Sequence, residues 1–309
     1  MKNVLITGVS GYVGKALVSE LKNINLFSLD RVYDKDISQQ SNKFICNDLN
    51  QLSLETENFL FDFSGTIVHL AAARSDDYSE KTYLIDTLKA TETFIGKLDP
   101  KKIKLFIHIG SVAAIDGEVL EQKGIRITCS DDWYRLSKYQ QQKIIESWAI
   151  KNSIPLVILA PSAIYDSDAS KNSTNIGRLE KVVNFLKVVP EINVLKSLTS
   201  MTEFVSTIRY FLDERTQTAN QQSMELIQRY IVLDNPVMTI TEICKKKFKA
   251  KLVIKIPKLQ ALLLFFAGLI KLIGLERKIP LSKERVIKLY KPTDYNDVVG
   301  YKEWVNEDT

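Results

Sequence analysis

The sequence has few of the residues that build metal centres and disulfide frameworks. Only three cysteines (Cys46, Cys129 and Cys244) and two histidines occur among its 309 residues. The cysteines are too widely spaced for a paired metal-ligand or redox motif. We therefore predict no metal site, buried free thiols and a reducing, cytoplasmic environment. Because Met1 leads directly into an apolar run, we also expect no signal peptide before the fold.

Long apolar runs, internal repeats and a strong charge of one sign are absent as well. The apolar stretch at residues 261–270, which contains Gly268, is about half of the ~20 residues that span a bilayer. The formal net charge of +5 is modest for this length. It suits an anionic cofactor and substrate and gives no reason to expect a nucleic-acid partner. The length allows one large domain, or a large domain with a smaller appendage.

The opening of the chain, residues 1–21, has the pattern of a strand, a glycine-rich turn and a helix. The aliphatic run at residues 4–6 predicts a strand that is buried on both faces. In a dinucleotide-binding turn, Gly8 would allow the tight bend, Gly11 the approach of a pyrophosphate, and Gly14 close helix packing. The amides that begin the helix would then face the phosphates. The residues predicted to bind the cofactor here are Gly8, Ser10, Gly11, Tyr12, Val13 and Gly14.

The second predicted strand, residues 26–30, ends in Asp30. An acidic side chain at this place can accept hydrogen bonds from both ribose hydroxyls and repels a 2′-phosphate. Asp30 therefore favours NAD. Arg31 follows it directly, and arginine is the residue that an NADP site would use. We predict NAD in preference to NADP, with Arg31 as the residue that could reverse the choice.

A serine, a tyrosine and a lysine form the candidate catalytic set. Ser111 follows a buried strand at residues 104–109, and Tyr134 and Lys138 lie four residues apart on a predicted helix. This spacing places both side chains on one helical face. A nearby ammonium lowers the pKa of a phenol, which in water is about 10, so that it can exchange protons near neutrality. Ser111 would hydrogen-bond the substrate oxygen.

The Gly-x-x-Gly-x-x-Gly turn followed by Ser111, Tyr134 and Lys138 resembles the extended short-chain dehydrogenase/reductase superfamily, and within it the NAD-dependent epimerase/dehydratase family. The resemblance implies an α/β fold with a Rossmann-like, doubly wound parallel sheet and a smaller C-terminal substrate lobe. Residues 1–165 would be the NAD-binding domain. Residues 166–309 would be mostly the substrate lobe, including a helix at residues 176–189, with a late strand at residues 230–234 returning to the sheet.

The same resemblance implies further cofactor contacts. An Asp-hydrophobic pair after the third strand would contact the adenine, small residues after the fourth strand would lie against the cofactor, and the loop after the sixth would lie beside the nicotinamide. The chain departs from the family pattern at Asp86, where the family usually has asparagine, and at Ala160, where it usually has arginine. The implied contacts are Asp48, Leu49, Leu70, Ala71, Ala72, Pro161 and Ala163, together with Tyr134 and Lys138.

The residues after the fifth strand decide the register of the catalytic serine and the type of reaction. The segment from Ser111 to Gly117 is one residue longer than the common family spacing, so one alignment places Val112 in the catalytic position. We choose Ser111, which is the only hydroxyl at that strand end. The family's 4,6-dehydratases have Thr-Asp-Glu where this chain has Ser111, Val112 and Ala113. Without that acid pair, dehydration is disfavoured.

Family members of this length act mostly on sugars linked to a nucleoside diphosphate. The resemblance therefore implies 4-epimerisation or 4-keto reduction of a nucleotide sugar for cell-surface polysaccharide biosynthesis, and the sequence does not separate the two reactions. One alternative is a reductase of another small carbonyl or hydroxyl substrate. Another is a non-catalytic dinucleotide-sensing regulator, although such relatives typically lose the tyrosine and lysine that this chain keeps.

The C-terminal third combines a run of lysines at residues 245–251 with the apolar stretch at residues 261–270. We predict a helix buried in the smaller domain beside a solvated run of charge. The alternative is a peripheral contact with anionic lipid. The sequence is also compatible with a homodimer.

Overall fold

The computed structural model describes residues 1–74, 79–125, 127, 129–166, 183–185, 187–213, 225–234, 236–272, 283–296 and 298–304. These residues form an α/β fold around one large parallel sheet. The strands in chain order are β1 (Lys2–Thr7), β2 (Ile24–Asp30), β3 (Lys43–Cys46), β4 (Gly65–His69), β5 (Ile103–Ile109), β6 (Leu156–Pro161), β7 (Ala163–Tyr165), β8 (Val188–Pro190), β9 (Leu195–Lys196), β10 (Leu198–Ser200), β11 (Ile227–Val232), β12 (Met238–Thr239), β13 (Leu252–Ile254) and β14 (Lys302–Glu303).

Helices connect these strands, and the longest of them carries the Tyr-x-x-x-Lys motif. A π-helical segment (Leu84–Lys89) and a 3₁₀ turn (Pro100–Lys102) lie between α4 and β5. The α-helices are α1 (Tyr12–Glu20), α2 (Lys35–Gln40), α3 (Leu54–Asp62), α4 (Glu80–Tyr83), α5 (Ala90–Ile95), α6 (Ala113–Gln122), α7 (Ser130–Asn152), α8 (Met201–Leu212), α9 (Ile240–Lys246), α10 (Leu259–Leu272) and α11 (Lys283–Tyr290).

The main sheet has eight strands in the order β3-β2-β1-β4-β5-β6-β11-β14, and every neighbouring pair is parallel. The order reverses between β1 and β4, which is the topological switch point where doubly wound sheets bind their ligands. β4 and β6 are buried along their whole length, as expected for strands that are covered on both faces. The predicted fold class is confirmed.

The described chain divides into two compact units. The first consists of Met1–Ser162, Thr199–Leu233 and Asp297–Thr309, and the second of Ala163–Leu198 and Asp234–Asn296. The core of the first unit includes Leu5, Phe94 and Phe106, which have no exposed surface. The core of the second is smaller and centres on residues such as Val183 and Ile243.

Three predictions from sequence differ from the structure. Residues 183–185 are helical, but Val188–Pro190 is a strand paired with β13, so the helix predicted at residues 176–189 was wrong at its end; residues 176–182 lie outside the described residues. The thiols are not uniformly buried, since Cys46 is exposed and only Cys244 is fully buried. Helix α10, expected to be buried, exposes much of its apolar surface, including 66% of Phe265.

Candidate active site

The glycine-rich turn joins β1 to α1 at the switch point of the sheet. Gly8 has a φ of +71°, and a Cβ added there would lie 2.7 Å from the backbone nitrogen of Ala71, which follows β4. Glycine is the residue that adopts this backbone conformation without steric cost. The turn therefore lies in direct backbone contact with the end of the neighbouring strand.

The two later glycines fix the start of α1. A Cβ on Gly14 would lie 2.3 Å from the carbonyl oxygen of Val9, so the helix can approach the turn only because Gly14 has no side chain. Gly11 is the N-cap residue and has no side chain with which to cap the first amides. A helix start without a side-chain cap is a favourable place for an anion such as a pyrophosphate. The residues at this turn thus fit a dinucleotide.

Asp30, at the end of β2, holds the turn in place. Its carboxylate accepts hydrogen bonds from the backbone amides of Ser10, at 2.8 Å, and Val32, at 3.0 Å. An ionised carboxylate can accept about four hydrogen bonds. Asp30 therefore keeps capacity to accept hydrogen bonds from ribose hydroxyls.

Arg31, the residue that would favour NADP, is engaged by a carboxylate. Its guanidinium lies 3.0 Å from Asp86 Oδ2. The hydrogen bond with Asp86 raises the pKa of Arg31, with smaller contributions from the nearby charges of Asp48 and Asp30. The cation predicted to favour a 2′-phosphate is thus paired with Asp86, the residue at which the chain departs from the family's asparagine.

The other predicted adenine- and backbone-contacting residues lie around the carboxyl ends of β3 and β4. Asp48 accepts hydrogen bonds from the backbone and side-chain nitrogens of Asn50, and Leu49 is buried. The Leu70 amide donates to the carbonyl of Thr7, the last residue of β1. Two small, partly exposed residues follow Leu70; they are Ala71 and Ala72.

Ser111 and Tyr134 lie in hydrogen-bonding contact. Ser111 follows β5, and Tyr134 is in the second turn of α7 with its ring centroid 6.1 Å from that of Tyr83. Val112, the other candidate for the serine position, is buried and donates its amide to the Pro161 carbonyl at 3.1 Å. The contact with Tyr134 therefore belongs to Ser111.

The pKa values of the tyrosine and lysine differ from the expectation. Burial raises the pKa of Tyr134 to about 12, with the hydrogen bond from Ser111 acting in the opposite direction. Burial lowers the pKa of Lys138 to about 8. The expected lowering of the phenol's pKa by the Lys138 ammonium is not found, because burial raises that pKa and Lys138 is not among the groups that shift it. At neutral pH Tyr134 is protonated and can donate its proton.

Lys138 is held by a buried network that the sequence analysis missed. Its Nζ donates to Gln141 Oε1 at 3.1 Å, and Gln141 Nε2 donates to Thr91 Oγ1 at 2.9 Å and to the Ala71 carbonyl at 3.1 Å. Gln141 has no exposed surface. Because Ala71 also contacts Gly8, this network connects the lysine to the glycine-rich turn. The spacing of three residues between Lys138 and Gln141 on one helix is the signal that could have found it.

Both histidines are packed beside this network and are uncharged. His69 Nδ1 is 2.7 Å from Thr7 Oγ1, and burial lowers the pKa of His69 to about 3. Burial also holds the pKa of His108 well below its usual range, with smaller effects of Lys138 and His69. Within the described ranges, no group of three or more His, Cys, Asp or Glu side chains could hold a metal ion.

The last two predicted cofactor contacts fall on either side of the boundary between the units. Pro161 ends β6 in the first unit and accepts the Val112 amide. Ala163 begins β7 and is the first residue of the second unit. Pro161 therefore contacts the residue that follows Ser111, and roles for Pro161 and Ala163 in cofactor binding remain predictions.

A model of the NAD dependent epimerase/dehydratase family matches residues 4–207 of the chain. The terminal R domain from the myxalamid PKS-NRPS biosynthetic pathway superposes with a TM-score of 0.66 at 15% identity, covering 94% of this chain and 78% of that one. UDP-glucuronic acid 4-epimerase from Bacillus cereus, in complex with NAD, gives 0.61 at 16% identity, covering 82% and 85%. The UDP-Glc/GlcNAc 4-epimerase from Campylobacter jejuni gives 0.61 at 15%, covering 83% and 87%. At these identities the likeness shows a shared fold.

Proposed function

Because the chain belongs to the NAD-dependent epimerase/dehydratase family, we propose that it is an NAD-dependent enzyme that acts on carbon 4 of a nucleoside-diphosphate sugar. It either epimerises this carbon or reduces the 4-ketone. We place the product in cell-surface polysaccharide biosynthesis. The contact of Ser111 with Tyr134, which lies on the same helix as the buried Lys138, carries the proposal. A regulator that only senses dinucleotide would have no need of this set.

The glycine-rich turn supports the assignment of a dinucleotide. We assign the pyrophosphate to the start of α1, beside Gly8 and Gly11, because the N-cap residue Gly11 has no side chain to cap the first amides of the helix. When bound, the nicotinamide supplies the hydride acceptor and donor for the sugar carbon.

The chain's own residues supply proton transfer and orientation. In the ketone-reducing step Tyr134, whose pKa burial raises to about 12, would donate its phenolic proton to the substrate oxygen. In the oxidising step that begins an epimerisation, the Tyr134 phenolate would take the proton of the substrate hydroxyl. Ser111 would hydrogen-bond the same oxygen, which aligns it with the phenol. Lys138 would hold its ammonium in place through Gln141, whose side-chain oxygen accepts a hydrogen bond from it at 3.1 Å.

The charges around the predicted ribose site support NAD. Asp30 keeps capacity for the ribose hydroxyls, and Arg31 is paired with Asp86 at 3.0 Å. A 2′-phosphate would have to compete with that carboxylate for Arg31. We therefore assign NAD as the cofactor.

The proposal is tested on purified protein in two steps. Denaturing the protein and assaying the released nucleotide shows whether NAD stays bound, as an epimerase requires and a reductase does not. A panel of UDP- and dTDP-hexoses and their 4-keto forms is then followed by NMR and by absorbance of the reduced cofactor. Turnover by the native protein and its loss in Tyr134→Phe are expected. If no sugar nucleotide is turned over while another carbonyl compound is, the substrate class is wrong.

A further inference from the structure

Helix α10 (Leu259–Leu272) in the second unit has an exposed stripe of large apolar side chains. Leu262, Phe265, Phe266 and Leu269 are 44%, 66%, 45% and 42% exposed. They occur at intervals of three and four residues, so they lie on one side of the helix. We call these four residues the apolar stripe. A single exposed leucine is ordinary, but four adjacent large ones point to an interaction surface.

The neighbouring faces of the same helix are packed within its unit. Ala267 is 2% exposed and Ile270 9%, and Gly268 faces the side chain of Lys283 at the start of α11. The fold has therefore already used one side of α10 for its own core. The apolar stripe is the side that this packing leaves in contact with water.

The charged side chains in the sequence segment that contains the stripe are all positive. Between Glu242 and Glu276 there are eight lysines and no aspartate or glutamate. Lys247 pairs with Asp234 at 2.8 Å, and Glu242 lies near two others on α9. The exposed lysines of this segment are Lys245, Lys246, Lys249, Lys251, Lys255 and Lys258.

Lysine and apolar side chains also alternate in the segment that leads into the helix. Leu252, Ile254 and Ile256 are all more than a third exposed. Lys255 lies among them, and Lys258 is exposed one turn before Leu262. The carbonyl of Lys258 accepts the Leu262 amide at 3.1 Å, so this lysine lies directly before the first turn of the helix. Positive charge therefore borders the apolar stripe at its N-terminal end.

We propose that the apolar stripe and its bordering lysines form a docking surface for an anionic lipid bilayer. The leucine and phenylalanine side chains would enter the boundary between headgroups and acyl chains, and the lysines would contact anionic headgroups. At about 1.5 Å per residue, the 14 residues of α10 extend about 21 Å, too short for the ~30 Å hydrocarbon core. No helix in the described part of the chain is long and apolar enough to cross a membrane.

A second copy of the chain fits this surface less well. A two-fold contact through the stripe would bring two lysine-rich segments together, because such an interface uses the same patch on both subunits. Between Glu242 and Glu276 the partner copy offers no carboxylate to compensate them. Protein interfaces are also generally depleted in lysine. An anionic bilayer meets both requirements, apolar contact and negative charge.

Flotation of the full chain with vesicles tests the proposal directly. Vesicles of phosphatidylglycerol and phosphatidylcholine are compared with vesicles of phosphatidylcholine alone, at about 0.01 M and about 1 M salt, where charges are screened beyond ~30 Å and ~3 Å. The protein is expected to float with the anionic vesicles at low salt and much less at high salt. Failure to float at low salt, or equal binding to both vesicles, overturns the proposal without any variant.

Paired variants then locate the surface. Lys255→Gln/Lys258→Gln should weaken binding about 25-fold, since each lysine near an anionic surface strengthens binding about fivefold. Phe265→Gln/Phe266→Gln should weaken it at least tenfold through lost apolar contact. The matched controls replace exposed residues of the same types in the first unit; they are Lys104→Gln/Lys151→Gln and Phe61→Gln. Circular dichroism checks that each variant is folded.

Two outcomes would overturn the assignment of the stripe. The first is that the controls reduce binding as much as the paired variants, which would make binding a property of net charge. The second is a dimer in sedimentation equilibrium without lipid that is abolished by Phe265→Gln/Phe266→Gln, which would show that a second copy covers the stripe. A wild-type monomer at the same concentration supports the lipid surface.

Discussion

Replacing Asp86 by asparagine should make the protein accept NADP more readily. In the structure the Asp86 carboxylate lies 3.0 Å from the Arg31 guanidinium and is the largest cause of that group's raised pKa. The substitution keeps the shape of the side chain and removes its charge. Arg31 would then be available to a 2′-phosphate, while Asp30 would still accept the ribose hydroxyls of NAD.

The size of the effect follows from the exposure of the pair. Two unit charges about 4 Å apart interact by about 1 kcal/mol in water and about 4 kcal/mol at the effective dielectric of a protein surface. The side chain of Arg31 is 58% exposed and that of Asp86 24%, so the value for water is the better guide. A change of about 1 kcal/mol corresponds to about a fivefold shift in the ratio of the dissociation constants for NADP and NAD.

Titration of both dinucleotides by intrinsic fluorescence measures this ratio. Asp62→Asn is the matched control, because it removes another exposed ion pair, with Lys102 at 3.1 Å, from a surface outside the candidate site. The ratio should be unchanged in the control. If Asp86→Asn leaves the ratio unchanged, or shifts it only by weakening NAD binding without improving NADP binding, then pairing of Arg31 does not set the cofactor preference.

Three further substitutions test the site and the turn. Tyr134→Phe should lower turnover about 100-fold or more while cofactor titration stays near normal, the usual scale for a lost general acid; near-normal turnover would contradict the role. Gln141→Leu removes the acceptor for the Lys138 ammonium, so the alkaline limb of the pH profile of kcat/KM, expected near pH 8, should move to lower pH. Gln141→Glu should move this limb to higher pH. If neither variant moves the profile, Gln141 does not position Lys138. Gly14→Ala places a Cβ 2.3 Å from the Val9 carbonyl oxygen and should cost about 1–3 kcal/mol, read as a lower melting temperature; an unchanged melt would show that the turn can adjust.

The sheet and its first turn could be predicted because the local sequence pattern there directly reflects where each residue lies in the fold. A strand buried on both faces is uniformly apolar, as at β4 and β6, and a glycine needed for a close approach has no substitute, as at Gly14. Such positions can be identified from the sequence alone. The same holds for Tyr134 and Lys138, since one helix fixes their relative placement.

The network around Lys138 was not predictable in the same way. Gln141 lies on the same helix, but its partners Thr91 and Ala71 come from elements 50 and 70 residues earlier in the chain. Glutamine at a helical position is usually exposed, and nothing local indicates that this one is buried. Burial also changed the sign of the expected effect on Tyr134, because the cost of desolvating a phenolate depends on surroundings that no spacing specifies.

The apolar segment of α10 shows a third limit. A helix that is apolar on all sides is usually buried, and from sequence the same pattern describes a core helix and a helix with one side in water. The structure separates the two, because Ala267 and Ile270 are packed while Phe265 is 66% exposed. What distinguishes this segment in sequence is its surroundings, since no carboxylate occurs between Glu242 and Glu276. A buried helix needs no such exclusion of negative charge from its flanks, whereas a helix on an anionic surface does, so the missing acids are as informative as the apolar residues themselves.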